Sequence, residues 1–119
     1  MYAALEDSVK PVDVLLNKAF SAEKMQKVNL FETENLFCDV YCLQPGQAQK
    51  PHHHSGADKI YYVLEGTATI QVGEEEEPLG PGRIVLAPSG SVHGVRNASQ
   101  ENLTLLVIMA PNPNVKKAG

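Results

Sequence analysis

The sequence predicts one all-β domain, a sandwich or a barrel of short strands. Its 119 residues are a typical length for a single domain. Of its 17 glycines and prolines, 12 fall between Pro45 and Gly90, and such a density of turn formers is typical of short strands joined by tight turns. Between these turns, apolar and β-branched residues alternate or form short runs, and no segment has a convincing amphipathic helical period.

The strands are expected to follow one another at intervals of about eight to twelve residues. We predict strands over Val28–Phe31, Leu36–Leu43, Ile60–Glu65, Thr67–Val72, Arg83–Ala87 and Leu103–Met109, and the brief alternation of Val12–Leu16 favours one more. The acidic run Glu74–Glu77 is interpreted as a solvated hairpin tip. Residues 1–22 are therefore assigned to an N-terminal segment, 23–110 to the barrel and 111–119 to a flexible tail.

Composition and charge exclude several classes of partner. The net charge of −4 and a pI of about 5.5 argue against binding to nucleic acid or to an anionic membrane. The first ten residues contain no basic segment leading into an apolar one, so they do not resemble a signal peptide. Cys38 and Cys42 lie too far apart on one strand for a disulfide, which favours a reducing compartment. We expect a cytoplasmic protein with a small-molecule ligand.

Three of the four histidines are consecutive. On an extended strand His52 and His54 point to the same side, whereas His53 points to the other. Two imidazoles on one face can share a metal ion if another strand supplies a third ligand, and His93 is the remaining histidine. Solvent-exposed histidines without a ligand are the alternative interpretation.

The residues around the histidines fit two spaced motifs. The first motif is fitted by Gly46, His52, His54 and Gly66, and the second by Gly82, Pro88, Gly90, His93 and Asn97. In these motifs the sequence resembles the cupin superfamily of small β-barrels. The resemblance implies a jelly-roll barrel, or double-stranded β-helix, whose open mouth holds a divalent metal ion and a small organic ligand.

One motif position departs from this family. Where the resemblance implies a glutamate that ligates the metal, the sequence has Lys59. An ammonium close to a divalent cation is unfavourable in a low-dielectric interior. Three alternatives follow: water completes a site made of the three histidines, Asp58 turns inward through a bulge, or the site is metal-free and Lys59 binds an anionic group of the ligand. Strand parity disfavours Asp58, because Lys59 and Tyr61 share the opposite face.

Two classes of function fit these residues. The first is a metalloenzyme with iron, manganese, zinc or nickel and dioxygenase, isomerase or lyase chemistry, in which Lys59 orients an anionic substrate or exchanges protons. Tyr61 and Met109 are then expected to line the ligand cavity. The second is a non-catalytic module that binds a sugar or an organic acid, since one fold serves both roles.

The apolar segments Val12–Leu16 and Leu103–Met109 are both expected to be buried against another surface. The second of them is apolar on both faces, as in a strand that is covered on both sides. We predict a homodimer that uses these two segments.

Overall fold

The fold consists of two antiparallel sheets that face each other. The structure is a computed structural model and describes residues 8–53 and 55–115. Over these residues its strands are β1 (Gln26–Glu32), β2 (Phe37–Leu43), β3 (Ala48–His53), β4 (Asp58–Glu65), β5 (Ala68–Val72), β6 (Glu75–Leu79), β7 (Ile84–Ala87), β8 (Val92–Arg96) and β9 (Leu103–Ala110). One sheet has the order β1-β2-β9-β4-β7 and the other β3-β8-β5-β6, which confirms the predicted all-β fold. No helix in the described ranges is long and apolar enough to cross a membrane.

Alternation along the strands directs one face of each sheet into a shared core. On β9, the middle strand of the five-stranded sheet, Leu103, Leu105 and Val107 are fully buried. Tyr41 on β2 and Val63 on β4 lie opposite Leu105 on its two sides, and both are buried as well. The core therefore lies between the sheets, and every second residue of β2 and β4 faces it.

The N-terminal segment lies against the outer face of the five-stranded sheet. The strand predicted within Val12–Leu16 does not form, because Leu15–Asn17 is a 3-10 helix. Asp13 Oδ1 accepts a hydrogen bond from the backbone N–H three residues on at 3.1 Å, and such local bonds favour a turn over a strand. Further along, the backbone N–H of Ala19 donates to Cys42 Sγ at 3.4 Å, which holds the segment against β2.

The acidic run forms an edge strand, so its interpretation as a hairpin tip is wrong for three of the four residues. The turn is limited to Gly73 and Glu74, and β6 begins at Glu75. β6 pairs with β5 on one side and forms one edge of the four-stranded sheet. Its carboxylates stay exposed there, and charge on an edge strand opposes edge-to-edge pairing with other chains.

The C-terminal tail, residues 111–119, contacts the sheet at its start, and its flexibility stays a prediction. Asn112 is buried, and its Nδ2 donates hydrogen bonds to Glu32 Oε2 at 2.8 Å and to the Thr33 carbonyl at 2.9 Å. These partners belong to the end of β1 and the turn that follows it. Residues 116–119 lie outside the described part of the chain.

The homodimer stays a prediction. Of the two segments expected at its interface, β9 lies inside the sheet between β2 and β4, whereas Leu16 is 83% exposed. Ile84 and Leu86 on the edge strand β7 are also more than half exposed. Apolar surface therefore remains on the N-terminal segment and on β7.

Candidate functional site

A cavity of about 450 Å³ opens between the two sheets. The side chains that line it from β1, β2, β3, β4 and β9 include Lys27, Asp39, Tyr41, Gln49, His52, Lys59 and Met109. Lys59 and Met109 lie opposite each other in the register of β4 and β9, as parity in the two strands requires. Both residues thus line the cavity, as the sequence predicts.

Lys59 is buried at the wall of this cavity and has no carboxylate partner among the residues that the structure describes. It is 1% exposed, and its Nζ donates a hydrogen bond to Gln49 Oε1 at 3.0 Å. The ion pairs in the described ranges lie on the surface and do not include Lys59. In its charged form the side chain would be a buried cation that relies on an amide oxygen, which is an expensive arrangement for a full charge.

The surroundings of Lys59 disfavour its charged form. Burial, and after it the charge of Lys27, lowers the pKa of Lys59 to about 7, while Asp39 acts in the opposite direction. Burial also raises the pKa of Asp39, whose Oδ1 accepts a hydrogen bond from Asn29 Nδ2 at 2.8 Å. An amine and a carboxyl group with pKa values shifted toward neutrality therefore line the same cavity.

Two tyrosines flank the amine. Lys59 Nζ lies 5.3 Å from the ring centroid of Tyr41 and 5.1 Å from that of Tyr61, within the range of cation–π attraction. Burial raises the pKa of Tyr41 to about 12 and also raises that of Tyr61, so both phenols are protonated at neutral pH. Tyr61 is fully buried, and its hydroxyl has no hydrogen-bond partner among the residues that the structure describes.

Two of the three predicted metal ligands lie side by side. His52 on β3 and His93 on β8 are paired in register, and their ring centroids are 4.5 Å apart. His54, the third, lies outside the described residues, and within the described ranges no group of three His, Cys, Asp or Glu side chains could hold a metal ion. His53 is exposed, in agreement with its predicted outward direction.

The hydrogen bonds of these two histidines suit metal binding. His52 Nδ1 lies 2.8 Å from the Lys50 carbonyl, and His93 Nδ1 lies 3.1 Å from the Ser91 carbonyl. Because a carbonyl can only accept, the neutral tautomer that fits each contact has its proton on Nδ1 and presents Nε2 as the metal-ligating nitrogen. Donation of the second ring nitrogen to a carbonyl is the usual arrangement of metal-ligating histidines, so this donor pair fits a divalent metal.

Asp58, the alternative carboxylate ligand, lies away from the cavity. It is exposed, and its Oδ1 accepts a hydrogen bond from the backbone N–H of Ser89 at 2.8 Å. Burial along β4 alternates, with Lys59 and Tyr61 inside and Asp58 outside. In this geometry Asp58 stabilises the turn before β8, and no bulge brings it inward.

Sequence reasoning missed Asp39 and Gln49 as cavity residues. Asp39 lies on the same strand face as Tyr41, so parity along β2 is a signal that could have found it. Gln49 and His52 are three positions apart and would point to opposite sides of a regular strand. They line one cavity because the register between β3 and β8 shifts between them.

Asn97, the last position of the second motif, ties three segments together. It is 1% exposed, and its Nδ2 donates to the carbonyls of Leu43 at 3.0 Å and Glu101 at 2.7 Å. Its Oδ1 accepts hydrogen bonds from the backbone N–H and the hydroxyl of Ser99. The residue therefore has a structural role at the opposite end of β8 from the histidines.

Comparison with known proteins decides the family. The family model described as "Cupin domain" matches residues 39–109, more than half of the chain. The chain is a cupin. The crystal structure of TT1209 from Thermus thermophilus is similar to it, with 47% identity, a TM-score of 0.86, and coverage of 88% of this cupin and 100% of that protein.

Sequence relatives extend this similarity. An uncharacterized protein of Streptomyces coelicolor is 35% identical over 79 residues, which are 65% of this cupin and 71% of that protein. A protein of a Bradyrhizobium species, named 5-nitrosalicylic acid 1,2-dioxygenase, is 29% identical over 76 residues. The matched region is 64% of this cupin and 36% of that dioxygenase.

Proposed function

We propose that this cupin binds a small organic anion in the cavity, with the negative group paired with Lys59, beside a divalent metal ion held by His52, His93 and His54. The observation that carries the proposal is the buried amine of Lys59 without a carboxylate partner in the described ranges. An anionic ligand supplies the missing counter-charge to a lysine that is only 1% exposed. The cavity has the size of a small-molecule site.

The remaining cavity residues suit recognition of such a ligand. Lys27 adds a second positive charge from β1, and Gln49 holds the Lys59 amine in place. Asp39 is the carboxylate among these residues, and burial raises its pKa. The name of the Bradyrhizobium relative is that of an enzyme acting on a carboxylic acid, which supports an anionic substrate.

The metal part of the proposal is supported by the two histidines. Their Nε2 atoms are the ligand atoms, with the third imidazole expected from His54. A divalent metal bound there supplies Lewis-acid or redox chemistry, of the dioxygenase, isomerase or lyase type. Tyr61 is not among the residues that line the cavity, but its ring lies between the two groups, 6.3 Å from the His93 ring and 5.1 Å from Lys59 Nζ.

Removal of the Lys59 charge is expected to weaken anion binding. Titration with salicylate and oxalate, followed by calorimetry near neutral pH, is expected to give affinities about 10–100-fold lower in Lys59→Met than in the wild type. Lys10→Met is the matched control, because Lys10 is exposed and far along the chain from the cavity residues. Equal affinities in Lys59→Met and the wild type would contradict pairing with Lys59.

Loss of His93 is expected to remove the metal. Protein purified without a histidine tag should contain stoichiometric metal, and His93→Ala should lower the metal content by about tenfold or more, whereas exposed His53→Ala should not change it.

Lys59→Glu should tighten metal binding, since it places a carboxylate at the motif position. Affinity should fall as the pH drops through the histidine range. If the wild type contained no metal, and His93→Ala contained none either, the metal site would be ruled out and the protein would be a metal-free binding module.

A further inference from the structure

The amine of Lys59 keeps its lone pair available when it is neutral. Nζ lies at the wall of the 450 Å³ cavity and donates to Gln49 Oε1, which can only accept. A neutral amine that donates in this way uses a hydrogen and not its lone pair. A small molecule in the cavity can therefore meet a nucleophilic nitrogen.

Burial of Lys59 and the charge of Lys27 from β1 favour its neutral form. The Asp39 carboxylate from β2 and the rings of Tyr41 and Tyr61 act in the opposite direction, and His52 from β3 lines the same cavity. Desolvation together with a neighbouring cation is the environment in which protein lysines act as nucleophiles toward carbonyl groups.

We propose that Lys59 is a carbonyl-reactive amine that forms an imine with a small 2-oxo acid or aldehyde acid bound in the cavity. This inference rests on the proposed function, because the carboxylate of the ligand is the negative group that enters the cavity. It narrows the ligand class from organic anions in general to those with an aldehyde or ketone carbonyl next to the carboxylate. The role belongs to a lysine at a position where the family motif has a carboxylate.

The reaction balances without an oxidant or a reductant. The Nζ lone pair adds to the carbonyl carbon, a C–N bond forms, and the C–O bond then breaks. The neutral amine has two N–H hydrogens: one moves to the carbonyl oxygen, which takes up one proton from solvent and leaves as water, and the other stays on the iminium nitrogen. The proton taken up gives the iminium a positive charge beside the carboxylate of the ligand, so the two groups form a charge pair in the cavity.

Reductive trapping of the wild-type chain tests the imine. We expect pyruvate or glyoxylate with cyanoborohydride near neutral pH to give one reduced adduct, found by mass spectrometry of peptides at Lys59. Labelling at Lys59 should exceed that at exposed Lys10 by about tenfold or more, because an ordinary lysine is almost fully protonated there. Lys59→Arg should lose this adduct and retain only the slow surface labelling.

The outcomes separate this inference from the proposed function. Salicylate has no aldehyde or ketone carbonyl, so its binding through Lys59 reports on anion pairing alone. Salicylate binding without a pyruvate or glyoxylate adduct at Lys59 would overturn the imine and leave the proposed function in place. Labelling of Lys59 no faster than Lys10 would also overturn it, and absence of both binding and adduct would overturn both.

Discussion

Replacement of Lys59 by methionine is expected to increase the free energy of unfolding of this cupin at neutral pH by about 2–3 kcal/mol. Lys59 is 1% exposed with a pKa of about 7, far below that of an unfolded lysine. Methionine has a similar length and removes the penalty for burying the charge. The gain is smaller than the pKa shift alone implies, because Gln49 Oε1 loses its hydrogen bond from Nζ.

The pH dependence gives this prediction its sign. A lysine whose pKa is lowered on folding binds fewer protons in the folded than in the unfolded state between about pH 7 and pH 10.4. The free energy of unfolding of the wild type therefore rises relative to that of the variant as the pH increases through this window. The advantage of Lys59→Met is therefore full below about pH 7 and smaller near pH 9. The charge of Lys59 also lowers the pKa of Asp39, so its removal disfavours the ionised carboxyl and reduces the advantage of the variant.

Denaturant unfolding of both proteins between about pH 6 and pH 9 measures this difference. The matched control is Lys10→Met, which changes an exposed lysine and is expected to stay within about 0.5 kcal/mol of the wild type. If Lys59→Met proved less stable than the wild type, or if its advantage did not shrink with pH, the folded protein would hold Lys59 charged in a favourable environment. Such a result would remove the physical basis of the reactive amine.

The inward direction of Lys59 and Tyr61 could be predicted from the sequence because it depends on strand parity alone. Once Ile60–Glu65 is a strand and its neighbours are placed, every second residue must enter the core. The sequence also points to His93 as the partner of His52, and the structure places the two opposite each other on β3 and β8. Parity and spacing together therefore predict the part of the site that lies on regular strands.

The rest of the site depends on irregular backbone, which parity cannot predict. Gln49 reaches Lys59 because β3 shifts register between Gln49 and His52. Gly94 on β8 faces this irregularity, and a Cβ there would lie 3.0 Å from the Gln49 carbonyl oxygen. Gly94 also weakens the strand signal of β8 in the sequence. The glycine that leaves room for the bulge in β3 therefore makes its own strand, β8, difficult to predict.

The strongest destabilisation is expected from Gly66→Ala, at about 3–5 kcal/mol. Gly66 has φ +84°, and a Cβ at this position would overlap the carbonyl oxygen of Asn102 and lie 3.1 Å from Leu103 Cα. Both obstacles are backbone atoms at the start of β9, so rotation of a side chain cannot relieve them. The backbone must move instead, and β9 is the middle strand of its sheet.

Gly82→Ala is the matched control for this substitution. Gly82 belongs to the second motif and has nearly the same backbone conformation, φ +87°, yet a Cβ there would have no atom within 4 Å. Its replacement should therefore cost only the conformational penalty, about 1–2 kcal/mol. Denaturant unfolding of the two variants measures the difference. Equal losses of unfolding free energy would show that β9 can move aside without an energetic penalty.

A shift of β9 is also expected to affect the site, because Met109 of this strand lies opposite Lys59. Gly66→Ala is therefore expected to weaken salicylate binding as well, whereas Gly82→Ala is not.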